Sequence, residues 1–192
     1  KRYISDQTAA IVGIAGSTDV GAIDPIAELS DLALDEHIFL HVDAAFGGFI
    51  IPYLIQLGYD LPLCDFSLKG ISTISIDAHK MGYSVIPMGS LLLRNKEWLE
   101  YINVETPYIS SKKQAGITGT RSGGPTVAAY AVSEYLGLEG YKDIVRKCME
   151  NTKYLEKKIH EIGLSLVIEP TMNVIGIKLK NPEIITKKLY KR

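Results

Sequence analysis

Apolar residues come in short bursts along the first half of the chain, and each burst stops at a glycine, an aspartate or an arginine. The first covers residues 8–15, TAAIVGIA, and Gly16-Ser17-Thr18 closes it. A short, mostly apolar run with a turn behind it predicts a buried strand. Asp24-Pro25 then predicts a helix start, with Asp24 as N-cap and Pro25 at the first helical position. Ile26, Leu29, Leu32 and Ala33 recur at helical spacing and supply its apolar face. Residues 38–43, IFLHVD, predict a second strand, closed by a turn over 44–48. Residues 73–77, TISID, predict a third and 89–94, GSLLLR, a fourth.

Strand, helix, strand in that order predicts an α/β fold: a mostly parallel sheet with helices on both faces. In such sheets ligands sit beyond the carboxyl ends of the strands. The pattern lapses over 103–124, where Thr, Ser, Gly and Lys replace it, and predicts a long loop. A helix is expected over 125–136 and a longer amphipathic one over 141–162, where Ile144, Cys148, Leu155 and Ile159 give the apolar spacing. Gly163 suits its C-terminal cap. Residues 165–168 and 173–179 predict two strands of a smaller unit, and Asn181-Pro182-Glu183 opens another helix. The chain enters its first strand soon after Lys1 and stops at Arg192 straight after an amphipathic pattern, so both ends are expected to be cuts through a larger protein.

Composition narrows the function classes. The chain is 46% hydrophobic and 22% charged, as globular proteins are. A net charge of -1 creates no field that favours nucleic acid or an anionic membrane. No apolar run approaches the ~20 residues of a membrane span. The two cysteines, Cys64 and Cys148, make neither a disulfide framework nor a zinc site, so a reducing cytoplasm is expected.

The candidate chemistry lies at two strand ends. Residues 77–83, DAHKMGY, put a primary amine, Lys80, just past the third strand. A lysine there is either solvated or a reactive amine held in a cleft. Such an amine condenses with an aldehyde, and pyridoxal phosphate is the common aldehyde cofactor. That cofactor needs a carboxylate beside its pyridine nitrogen so that the protonated ring can accept electrons. The two groups must come from different strand ends, because the ring lies between them. Asp43 and Lys80 satisfy this. Ala45 is small enough to pack against one ring face, and Gly47 and Gly48 let the backbone turn away. His79 and Gly119-Thr120-Arg121 are candidate phosphate partners. Singly these features are ordinary: an aspartate closing a strand is most often a turn residue. His41 reads as a buried, hydrogen-bonded imidazole, while His37 and His160 read as solvated. Arg121 either binds a substrate carboxylate or fixes its loop through backbone carbonyls. Tyr53, Tyr59 and Tyr83 read as core or interface aromatics; Tyr108 differs because it stands in the long loop.

Together, His41-Val42-Asp43-Ala44-Ala45-Phe46-Gly47-Gly48-Phe49 and Ser75-Ile76-Asp77-Ala78-His79-Lys80-Met81-Gly82 closely resemble the group II pyridoxal-phosphate-dependent amino acid decarboxylases. Gly16-Ser17-Thr18, Gly21, Asp24 and Gly119-Thr120-Arg121-Ser122-Gly123 fall in the same order. The resemblance runs over nearly the whole chain and is nearest to the archaeal branch that acts on L-tyrosine and L-aspartate. It implies the fold-type-I large domain of pyridoxal-phosphate enzymes over residues 1–140, incomplete, and the start of a small α+β domain over 141–192. It implies that Lys80 anchors the cofactor covalently, Asp43 pairs with the pyridine nitrogen, and Ala45 packs on the ring. His79 would sit beside the anchor and near the phosphate, and Ser17 or Thr18 near the ring. Asp77 stands where relatives often carry a polar phosphate contact. Thr120 matches a hydroxyl that in relatives reaches the phosphate of the neighbouring subunit's cofactor, which implies a homodimer. Tyr108 lies on the loop that in relatives covers the active site.

The implied reaction is decarboxylation of a small-molecule L-amino acid, tyrosine or aspartate foremost, to the amine and CO2, with no nucleic-acid or membrane partner. Two other readings stay open. Sphingosine-phosphate lyases share a very similar HVDA…GGF and D-x-HK pattern but cleave a carbon–carbon bond. The family's phosphate-binding loop and ring-stacking aromatic precede residue 1, so a non-catalytic truncated fragment is the third reading.

Overall fold

The computed structural model describes residues 2–116 and 119–191; Lys1, Ile117, Thr118 and Arg192 lie outside the described residues, the middle two within the expected 103–124 loop. Its centre is a sheet of β1 (Ala10–Ile14), β2 (Phe39–Asp43), β3 (Ile71–Asp77) and β4 (Gly89–Leu93), in that spatial order. The first three strands are parallel and β4 returns antiparallel. Helix α1 (Ile26–Asp35) joins β1 to β2, and α2 (Ile51–Gln56) lies between β2 and β3. The short stretch from β3 to β4 carries no helix, so it can only turn the chain back.

The strand order advances one way, and right-handed crossovers then place α1 and α2 on the same face. The side chains agree. Ile26 and Leu29 of α1 lie against Gly13 and Leu40. Val42 pairs with Ile74 and Ile74 with Leu92, and Ile51 and Ile55 of α2 border Ile74, Ile76 and Leu92. Leu40, Val42, Ile71, Ile26 and Leu54 are fully buried there. Burying a side chain of this size contributes about 1.5–3 kcal/mol. The hydroxyl of Ser30 accepts the Gly70 N–H at 2.9 Å, tying α1 to the entry of β3. Among the described residues the opposite face stays open: Val12 is 60%, Phe39 49% and Leu91 52% exposed. Trp98 leans on it, edge-on to Phe39 at 5.2 Å. The expected second layer of helices is therefore not met in this stretch, because one-way crossovers supply helices to one face only. On the open face His41 is hydrogen-bonded to Thr73 at 2.7 Å, as expected, but it is half-buried rather than buried, because no layer covers this face.

Several local expectations change. Asp24 is not an N-cap: its carboxylate accepts the Ile14 N–H at 2.7 Å, and Pro25 holds the cap position of α1. The unmet donor at the end of β1 takes the side chain away from the helix. The expected 103–124 loop contains a hairpin, β5 (Asn103–Glu105) with β6 (Lys113–Ala115). Lys113 Nζ, 2.6 Å from Glu100, ties this hairpin to the 3-10 segment just before it, Lys96–Tyr101. The two expected helices join as α3 (Gly124–Glu161), broken at Gly137, where φ 55° and ψ -171° are non-helical. Tyr141, just beyond that break, is buried, stacks on Tyr53 at 5.2 Å and donates to the Gly82 carbonyl at 2.9 Å. It thereby fixes the turn that follows Lys80. Strands β7 (Ser165–Leu166) and β8 (Ile177–Lys178) pair antiparallel and are shorter than expected, and α4 (Pro182–Leu189) starts where predicted.

Candidate active site

Because β1, β2 and β3 are parallel, their carboxyl ends meet at one edge of the sheet. A cavity of about 280 Å³ opens there, and Ser17, Thr18, Asp43, Ala45, Phe46 and Lys80 line it. Three connections supply these groups: the turn after β1, the turn after β2 and the turn after β3. Residues far apart in the chain thus converge on one space, which is where ligands sit in open α/β sheets.

Asp43 is held by its own neighbourhood. Its Oδ1 accepts the Ala45 N–H at 3.0 Å and the Ser75 hydroxyl at 3.1 Å. Among the described residues Oδ2 has no hydrogen-bond partner, so one carboxylate oxygen is fixed and the other is available to a ligand. The turn beyond is tight: a Cβ on Gly47 would lie 2.1 Å from the Ala15 carbonyl oxygen, so only glycine allows this approach. That contact draws the post-β2 turn under the end of β1.

Lys80 follows from the turn after β3, where its N–H donates to the Asp77 carbonyl at 3.0 Å. Its Nζ lies 3.0 Å from Asp77 Oδ2, and its side chain is 38% exposed. His79 Nδ1 accepts the Met88 N–H at 3.2 Å, which leaves the proton of a neutral ring on Nε2. That Nε2 faces Asp77 Oδ2 at 3.9 Å. Asp77 and His79 do not line the cavity; they stand behind Lys80.

The other sequence-predicted residues divide. Ser17 Oγ donates to Asp19 at 2.6 Å and accepts the Ala22 N–H at 3.1 Å, so its proton is committed to the turn. That bond, with the Val20 N–H, holds the Asp19 carboxyl below the usual range. Thr120 and Arg121 border a separate cavity of about 590 Å³ with Met88, Gly89 and Pro125. Tyr108 lines neither space and is 84% exposed on the β5–β6 connection. Sequence reasoning missed Ser75, Met88 and Asn173. Ser75 was readable as the cross-strand neighbour of Asp43 only with the register in hand. Asn173 Nδ2 touches Met81 Sδ at 3.9 Å, and its buried Oδ1 has no hydrogen-bond partner among the described residues.

This donor set suits one end of pyridoxal phosphate. A primary amine, a carboxylate with one free oxygen and a small side chain face the same space, which matches an aldehyde, a pyridine nitrogen and a flat ring. Among the described residues no group of three or more His, Cys, Asp or Glu could hold a metal ion.

Comparison with known proteins agrees with the geometry. Residues 4–180 match the family described as the pyridoxal-dependent decarboxylase conserved domain. A Methanosarcina mazei protein named "Probable L-tyrosine/L-aspartate decarboxylase" is 46% identical over 192 residues, covering 100% of this chain and 47% of its own length. A Pyrococcus abyssi protein named "Probable L-aspartate decarboxylase" is 48% identical over 192 residues, covering 98% of this chain and 50% of its own. The chain thus spans about half the length of these relatives. Among solved structures, a Burkholderia pseudomallei sphingosine-1-phosphate lyase superposes with a TM-score of 0.80 at 33% identity, over 88% of this chain and 39% of that one. A Lactobacillus brevis glutamate decarboxylase also gives 0.80, at 26% identity, over 93% and 42%. These neighbours share the fold-type-I architecture that the resemblance implied. With its strand-end lysine and aspartate on one cavity and the match running over most of its length, the chain belongs to the pyridoxal-dependent decarboxylase family.

Proposed function

We propose that this chain forms the lysine-bearing part of a pyridoxal-phosphate-dependent decarboxylase that converts an L-amino acid, tyrosine or aspartate foremost, to its amine and CO2. One observation carries the reading. Asp43, with a free Oδ2, and Lys80 open on the same cavity from neighbouring strand ends. The names of the archaeal relatives support the substrate class.

The bound cofactor supplies an electron sink for the pair released when CO2 leaves. The residues do the rest. Lys80 is the covalent anchor and yields its place to the substrate's amine. Asp43 Oδ2 would hold the proton on the ring nitrogen, and the bonds from Ala45 and Ser75 to Oδ1 orient the carboxylate. Ala45, Phe46 and Thr18 line the cavity and would hold the ring there. His79 is assigned to the anchor's flank, Arg121 to the substrate carboxylate and Tyr108 to the covering loop. Thr120 and Arg121 border a cavity apart from Lys80, which suits a role across the contact of a homodimer. Both cysteines are free, which suits a cytoplasmic enzyme. No helix among the described residues is long and apolar enough to cross a membrane. A large domain over residues 1–140 and the start of a small one over 141–192 place the division just past the break at Gly137.

A second reading, carbon–carbon cleavage of a phosphorylated amino alcohol, draws on the 33% identity to the Burkholderia lyase. One assay separates the two. The full-length protein containing this chain is loaded with pyridoxal phosphate and given L-tyrosine, L-aspartate or a phosphorylated long-chain amino alcohol. CO2 and the matching amine are expected, and Lys80→Ala abolishes both. Release of an aldehyde with phosphoethanolamine would favour the lyase. CO2 release by Lys80→Ala at the wild-type rate would overturn the assignment.

A further inference from the structure

Asp77 stands where the resemblance places a phosphate contact, yet its carboxylate is spent on a cation. Oδ2 lies 3.0 Å from Lys80 Nζ. The cavity itself holds two acids, Asp43 and Asp19, and among the described residues Lys80 is ion-paired with neither. A carboxylate at this distance from the phosphate's expected neighbour would also repel a phosphate dianion. The position is built. In β3 the side chain of Asp77 shares a face with Ser75, the partner of Asp43. Its cross-strand neighbour is Gly89, and a Cβ there would lie 2.6 Å from Asp77 Oδ1, so the glycine makes room for the carboxylate. His79, oriented by the Met88 N–H, turns its second nitrogen to the same Oδ2.

We propose that Asp77 is a positioning residue: the counter-ion that receives the Lys80 ammonium whenever the lysine is not bonded to the cofactor. This rests on Lys80 being the cofactor's anchor. When a substrate amine takes over, the carbon–nitrogen double bond to Lys80 is exchanged for one to the substrate nitrogen. The substrate arrives as an ammonium with three N–H protons; as its nitrogen takes over the double bond these pass to the Lys80 nitrogen, which leaves as an ammonium. Nothing is oxidised or reduced. Only the released lysine carries the full charge that Asp77 holds, so Asp77 favours release. Its location behind the cavity also draws the amine out of the substrate's way.

The test uses the full-length protein with bound pyridoxal phosphate, titrated with methylamine at fixed pH. Cofactor still bonded to Lys80 is fixed with borohydride and counted by peptide mass spectrometry. Asp77→Asn should need about two- to five-fold more methylamine for half-displacement, the range of a partly exposed ion pair. Asp77→Glu should fall between Asn and wild type. High salt should raise the wild-type midpoint and leave that of Asn unmoved, because screening weakens only the pair. A purely structural role would lower cofactor content without this salt dependence. An Asn midpoint equal to or below that of wild type would overturn the inference. If Asn does not fold, the wild-type salt series decides alone: a flat midpoint overturns it. Borohydride adducts that never fall on Lys80 would instead sink the anchor reading, and this inference with it.

Discussion

Changing Asp43 to Asn separates charge from architecture at the proposed ring-nitrogen site. The side chain does two jobs with two oxygens. Oδ1 accepts from Ala45 N–H and Ser75 Oγ at 3.0 and 3.1 Å, and both bonds survive if the asparagine carbonyl takes its place. What disappears is the negative charge at Oδ2. A hydrogen bond to a charged partner contributes about 1.5–3 kcal/mol, so cofactor affinity should fall about ten- to a hundred-fold while folding stability stays within about 0.5 kcal/mol. Asp43→Ala removes both oxygens. It strands the Ala45 N–H and the Ser75 hydroxyl in a half-buried site, which should cost about 2 kcal/mol of stability besides. Cofactor titration of the apoprotein by absorbance, with urea unfolding of the same samples, measures both quantities. Asn binding the cofactor as tightly as wild type would refute the ring-nitrogen role. Asn unfolding as early as Ala would refute the division of labour between the oxygens.

Two further outcomes follow from the packing. Gly47→Ala puts a methyl group 2.1 Å from the Ala15 carbonyl oxygen and should destabilise by about 1–3 kcal/mol or more, whereas at Gly58, where nothing lies within 4 Å, alanine meets only the cost of a positive φ; urea midpoints of the pair compare the two. The Cys64 thiol is pushed up to about 11, first by burial and then by Asp65. Its folded state therefore keeps a proton that the unfolded chain releases from pH about 9 upward, so stability should fall between about 9 and 11. Iodoacetamide at pH 8 should meet about one thiolate in a thousand at this position, against about one in ten for a thiol at the ordinary value of 9.0. Labelling of Cys64 at the rate of a free thiol would contradict the burial.

The strands were readable because each is an apolar run with a turn residue behind it, and Asp43 and Lys80 were readable because their chemistry sits at such ends. Helix α2 was missed because six residues, IPYLIQ, are too few to show a period. The β5–β6 hairpin was missed because three-residue strands in a polar stretch carry no alternation. Asp24 was misread because its sequence neighbours pointed to a helix cap, while the open donor was the backbone of Ile14, ten residues back.

Local pattern and residue type, then, determined the α/β order, the positions of β1 to β4, and the strand-end amine and carboxylate of the candidate site. Tertiary structure alone decided which groups share a space. Asp43 and Lys80 meet because parallel strands bring their carboxyl ends together. Asp77 binds Lys80 because a turn folds the lysine back onto the strand end. Thr120 and Arg121 fall in another cavity because their segment packs on Met88 and Gly89, not on the end of β2. Order along the chain carries no information about such distances; they are settled by strand direction, register and the path of each turn.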